Sequence, residues 1–150
     1  MNHNEIMDAN VAVLALSMRW LHIVSVVTLI GGFIFARFAV APALASLPEA
    51  ERKTTDARVA AGFRPLLYLV LGTVLVSGLY NYLSKTNLPP RYHMILGIKL
   101  LFVLHIFAVS ILYTLPTATP AKRSRWLTGM IVSGLIIIAL ADYLRFIPIS

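Results

Sequence analysis

The sequence predicts an all-α integral membrane protein whose four transmembrane helices form an antiparallel up-down-up-down bundle. Hydrophobic residues make up 59% of the 150 residues, and the mean hydropathy is +0.81. A soluble domain is only about half apolar, so this chain has too few polar residues to cover an apolar core in water. Four apolar stretches each exceed the roughly 20 residues that a helix needs to cross a bilayer.

The first predicted helix covers residues 11–45 and is interrupted by Arg19, His22 and Arg37. It is longer than a span requires, so we expect it to tilt or to project beyond the hydrocarbon, with Pro42 near its exit. No basic leader with a small-residue cleavage site precedes it, and we expect this segment to remain in the mature protein. The polar residues 47–56 are predicted to form a connecting loop.

Three further helices are predicted over residues 58–83, 92–115 and 125–146, and all four belong to one domain, 1–150. The turns between them contain the helix-breaking residues Pro89, Pro90, Pro116 and Pro120. Since short loops join antiparallel neighbours, the first and third helices run in the same direction.

Basic residues near the helix ends predict the orientation of the chain. The first and third loops carry more of them than the opposite side does, so these loops are predicted to be cytoplasmic and both termini non-cytoplasmic. The residues on the predicted cytoplasmic side are Arg37, Arg52, Lys53, Arg58, Arg64, Lys122, Arg123 and Arg125. The net charge of +7 suits loops that lie against anionic lipid headgroups, and its spread over several loops argues against a nucleic-acid site.

The polar residues inside the apolar stretches predict a haem site. The chain has no cysteine, which leaves its four histidines as the main metal-ligand candidates. His22 and His105 each lie eleven residues after the predicted start of an apolar run, at a depth of about 16 Å. Two imidazoles at one height in a bundle are what bis-histidine ligation of a haem iron requires. Arg19 and Lys99 are predicted near the haem propionates.

Other interpretations of these residues stay open. An intramembrane histidine can simply hydrogen-bond a serine, a threonine or a carbonyl of a neighbouring helix. Arg19 can extend to the interface beside Trp20. His93 is predicted to be a surface residue, although His93 or Lys99 could replace His105 as the second ligand. An unblocked N-terminus followed by His3 can bind Cu(II).

Several short motifs resemble the CopD-like and HemJ-like group of small four-helix bacterial membrane proteins. They are residues 19–23 (RWLHI), 31–32 (GG), 40–44 (VAPAL), 77–80 (SGLY) and 97–101 (GIKLL). The resemblance implies a bacterial inner-membrane protein associated with haem b or copper. His22 matches the first-helix histidine and Lys99 the third-helix lysine, the positions linked to haem and activity in HemJ-like proteins. Arg37 is not in clear register with the arginine of that pattern.

Residues and resemblance together predict a membrane b-type haem protein, with the haem held between the first and third helices. Its predicted role is that of a cytochrome b in electron transport, or of an oxidoreductase that oxidises a hydrophobic donor. The alternatives are a protoporphyrinogen IX oxidase of HemJ type and a copper transport or resistance protein of CopD type. Predicted partners are membrane lipid and a quinone, a porphyrin or another redox protein, and a homo-oligomer is compatible with the sequence.

Overall fold

Four long helices form the structure, a computed structural model that describes residues 2–148 except for the side chains of residues 3 and 4. Helix α1 covers His3–Phe35 and continues through a π-helical segment, Ala36–Val40, into the short α2, Ala41–Ala45. Helix α3 covers Glu49–Leu83, α4 covers Pro90–Tyr113, and α5 covers Pro120–Arg145. Within the described residues, all four are long and apolar enough to cross a membrane. The predicted all-α four-helix membrane bundle is confirmed.

The beginning of α3 differs from the prediction, because residues 49–56 are helical and not a loop. Pro48 precedes the helix, and Glu49 and Glu51 lie in its first turn, where carboxylates interact favourably with the helix dipole. Lys53 also pairs with Glu49 one turn earlier. Local charge pairs therefore extend this helix beyond its apolar part.

The π-helical segment lies near Pro42, where the first span is predicted to leave the membrane. Pro42 has no backbone N–H and cannot bond to the carbonyl four residues earlier. The N–H of Ala41 bonds instead to the carbonyl of Ala36, five residues back. Arg37 lies in this wider turn, and its Nε donates to the hydroxyl of Thr128 on α5 over 3.0 Å. The segment thus attaches the end of the first span to α5.

The four helices pack as two hairpins placed side by side. Helix α1 packs mainly against α3, and α4 packs mainly against α5, with smaller contacts between α1 and α5 and between α3 and both helices of the second hairpin. Helices α1 and α4 therefore lie diagonally across the bundle. The core between the hairpins contains the fully buried side chains of Phe33, Leu67 and Met130.

A buried ion pair ties the hairpins together at the end of the bundle that is predicted to be cytoplasmic. Arg123 at the start of α5 is 2% exposed and donates to the carboxylate of Asp56 on α3 over 2.5 Å. Its other nitrogens donate to the carbonyls of Tyr113 and Leu115. Arg64 of α3 donates to the carbonyl of Thr114. These bonds fix the α4–α5 turn against α3.

Candidate functional site

His22 lies at the interface between α1 and α3, where two small residues of α3 make room for its ring. Its Nδ1 lies 3.0 Å from the Oγ of Ser77, which is fully buried. The next residue, Gly78, brings its backbone so close that an added Cβ would lie 3.1 Å from Cε1 of the imidazole. The serine and the glycine therefore fix both the position and the orientation of the His22 ring.

The hydrogen bonds of Ser77 determine which nitrogen of His22 carries the proton. A serine hydroxyl has one hydrogen to donate, and Ser77 donates it to the carbonyl of Thr73 over 2.5 Å. Ser77 must then accept a hydrogen from Nδ1 of His22. We therefore assign the proton to Nδ1, which leaves a free lone pair on Nε2.

Lys99 is a charged residue of α4 that lies within electrostatic range of His22. Its side chain is half-buried, and it interacts electrostatically with the His22 ring and with Lys85. The two ion pairs found within residues 2–148 use the carboxylates of Glu49 and Asp56, at the opposite end of the bundle. Lys99 and Lys85 thus lie within electrostatic range of one another, without an ion-pair partner in the described part of the chain. An anionic group would complement this arrangement.

His105 lies in the other hairpin and faces α5. Its Nδ1 lies 2.8 Å from the Oγ of Ser133, and its ring packs near Gly129, where an added Cβ would lie 3.6 Å from Cε1. Unlike His22, His105 is exposed on the outer surface of the bundle. It lines a shallow groove together with Leu101, Phe102 and Ser133.

The two histidines do not lie at one height, contrary to the expectation from their spacing. Ile30 of α1 contacts Gly134 of α5, since a Cβ added there would lie 3.0 Å from the Ile30 side chain. Gly134 follows Ser133, the partner of His105, whereas Ile30 lies eight residues after His22. At 1.5 Å per residue, the His105 site lies about 12 Å nearer to the predicted cytoplasmic end than the His22 site.

This offset places Lys99, and not His105, near the height of His22. Lys99 precedes His105 by six residues, which places it about 9 Å further out along α4 and close to the height of His22. The equal count of eleven residues assumed that both helices enter the membrane where their apolar runs begin. Helix α1 instead begins at His3 and α4 at Pro90, so the apolar starts do not mark a common level.

The two hairpins repeat the same pair of motifs. Residues 21–23 and 104–106 both read Leu-His-Ile, on the first helix of each hairpin. Residues 76–79 and 132–135 both read Val-Ser-Gly-Leu, on the second helix. In each hairpin the histidine bonds through Nδ1 to the serine of the second motif. The sequence analysis allowed for a serine partner in general terms but identified neither Ser77 as the partner of His22 nor Ser133 as the partner of His105. This repetition was the signal that could have identified them.

The remaining predicted site residues lie apart from this arrangement. Arg19 is exposed on α1, and its contact with a propionate stays a prediction. His93 is exposed at the outer end of α4, where its Nδ1 lies 3.4 Å from the hydroxyl of Tyr82. The side chain of His3 lies outside the described part of the chain. Among the described residues, no group of three or more histidine or acidic side chains could hold a metal ion.

Comparison with known proteins adds no relative. No protein-family model, curated protein or solved structure matches the chain.

Proposed function

We propose that this multi-pass membrane protein binds haem b beside α1 and that Nε2 of His22 is an axial ligand of its iron. The observation that carries this proposal is the bond from His22 Nδ1 to Ser77. A histidine that ligates a metal commonly donates its other ring N–H to a fixed acceptor, which sets the tautomer and the ring plane. The donor set around His22 therefore fits the group.

Two lysines toward the outer end of the bundle support the same assignment. A haem carries two carboxylates, which require cations or water. Lys99 and Lys85 lie near one another on the outer side of the bundle, and Lys85 also donates to the hydroxyl of Tyr92 over 3.1 Å. We assign the two lysines to the haem carboxylates. The family resemblance, which links the positions of His22 and Lys99 to haem, agrees with this assignment.

Bound haem supplies one-electron redox chemistry, and the chain supplies its position, its charge partners and the exclusion of water. A shallow apolar groove runs along α1 and α3 and is open on the outer surface of the bundle; its lining includes the residue before His22 and the residue before Ser77. Its lining includes Met18, Leu21, Gly72 and Val76. A hydrophobic donor dissolved in the bilayer could reach the site along this groove. We therefore propose electron transfer or the oxidation of such a donor in a bacterial inner membrane, with both termini on the non-cytoplasmic side.

The visible spectrum of the purified full chain tests this proposal. We expect a Soret band that shifts on reduction with dithionite, and a pyridine haemochrome of the b type. Lys99→Gln should lower the haem content, because one carboxylate loses its cation, whereas Lys122→Gln at the far end of the bundle should leave it unchanged. A colourless protein that retains copper would contradict the proposal and support the CopD-type alternative.

A further inference from the structure

The groove at His105 contains a polar group that the protein itself leaves unsatisfied. The Nε2 of His105 has no hydrogen-bond partner among the described residues, and the ring is exposed on the lipid-facing surface between α4 and α5. His105 lies eight residues before the end of α4 at Tyr113, or about 12 Å into the bundle. An unpaired polar group at such a depth is costly, because hydrocarbon offers no partner.

Ser133 places the ring proton of His105 on a different nitrogen from the one that Ser77 selects in His22. Ser133 is 5% exposed, and its Oγ bonds only to Nδ1 of His105 within residues 2–148. A buried hydroxyl needs an acceptor for its hydrogen, and Nδ1 is the acceptor in reach. Ser133 therefore donates to Nδ1, and the ring proton resides on Nε2. His105 thus presents an N–H donor to the groove, whereas His22 presents a lone pair.

We propose that this groove is a second binding site, separate from the haem site, and that it binds the head group of a lipid-soluble quinone. The Nε2–H of His105 would donate to a carbonyl oxygen of the quinone, and the ring of Phe102 would pack against the flat head group. The ester carbonyls of phospholipids lie at the membrane interface, whereas a quinone carries its carbonyls into the hydrocarbon on an apolar tail. The groove is only a few residues wide, which suits a single ring.

The quinone site is argued from His105, Ser133 and the groove alone. Only an exchange of electrons between a bound quinone and the haem would rest on the proposed function. The two proposals can therefore fail separately. A chain without haem that still binds a quinone at His105 would overturn the first proposal and leave this one standing.

Histidine-selective ¹⁵N NMR of the full chain in lipid nanodiscs tests the site with decylubiquinone as the probe. We expect His105 to be protonated on Nε2, and its signal to shift saturably as the quinone is added. His105→Leu should abolish the saturable response. Ser133→Ala removes the hydroxyl that fixes the proton on Nε2, and binding should weaken about fivefold, the effect of one hydrogen bond. His93→Gln, which replaces another histidine of α4 outside the groove, should bind as the wild type does.

Three results would overturn the proposal. The first is a His105 ring protonated on Nδ1, or one whose signals do not respond to the quinone. The second is a loss of haem in His105→Leu, which would make His105 a haem ligand. The third is a shift of the His105 signal that follows protein concentration and not quinone concentration, which would place a second copy of this chain on the groove.

Discussion

The Nδ1 atom of His22 lies 3.0 Å from the Oγ of Ser77, a serine that is fully buried in α3. Because the hydroxyl hydrogen of Ser77 is donated to Thr73, the serine accepts from His22 and leaves the lone pair of Nε2 free. This relationship fixes the orientation of an intramembrane imidazole and leaves one of its nitrogens free to bind a ligand. The first two predictions below depend on it.

Replacing Ser77 should weaken haem binding without removing the ligand itself. In Ser77→Ala the His22 ring loses the acceptor that fixes its tautomer, and loss of such a partner typically weakens metal binding 10- to 100-fold. Haem content after purification measures the effect. Ser110→Ala is the matched control, since Ser110 is also fully buried but bonds to the sulfur of Met130. Equal haem loss in both variants would point to general destabilisation.

Adding one methyl group at Gly78 should displace the ring of His22. A Cβ at this position would lie 3.1 Å from Cε1 of the imidazole, closer than ordinary van der Waals contact, so the ring must move by a few tenths of an ångström. We expect Gly78→Ala to change the Soret band and to lower the haem content. Gly62→Ala on the same helix adds its methyl group to open space and should preserve both. A normal spectrum in Gly78→Ala would show that the ring does not hold the haem in this position.

The vertical offset between the histidines can be measured by cysteine cross-linking, because the chain has no cysteine of its own. Ile30 contacts Gly134 across the α1–α5 interface, so an Ile30→Cys/Gly134→Cys pair should form a disulfide on mild oxidation. A His22→Cys/His105→Cys pair should remain reduced, because the two positions differ by about 12 Å in height. The opposite pattern would restore the arrangement predicted from the sequence.

The ion pair between Arg123 and Asp56 should be a main determinant of stability. Asp56→Ala leaves the Arg123 guanidinium buried without its carboxylate, and breaking a buried pair in this way costs about 3–5 kcal/mol. Lys53→Ala removes the exposed pair with Glu49 on the same helix, which should change the free energy of unfolding little, because solvent screens an exposed pair. Unfolding by SDS in mixed micelles measures both changes. Similar losses in the two variants would contradict this role of Arg123.

The sequence was sufficient to predict the membrane bundle, because span length and apolar composition are local properties. The same is true of the turns, which proline marks at Pro89 and Pro120. The beginning of α3 was not predicted, since the polar residues from Glu49 onward resemble a loop unless their charge pairs are considered.

The site was only partly predictable. Its candidate residues stand out because polar groups are rare in an apolar stretch, as His22, Lys99 and His105 show. Their relative heights in the bundle depend on how far each helix projects beyond the membrane and on which helices are neighbours. Counting residues from the first apolar position reveals neither. The contact of Ile30 with Gly134 is a tertiary property. It separates His105 from His22 and brings Lys99 to the level of His22.

The haem content of two single variants tests the central claim most directly. His22→Ala and His105→Ala, purified in parallel with the wild type, would be compared by pyridine haemochrome per mole of folded chain. The account predicts that His22→Ala loses the haem and that His105→Ala retains it. Loss of haem in both variants would restore the bis-histidine pair, and retention in His22→Ala would contradict the proposed site.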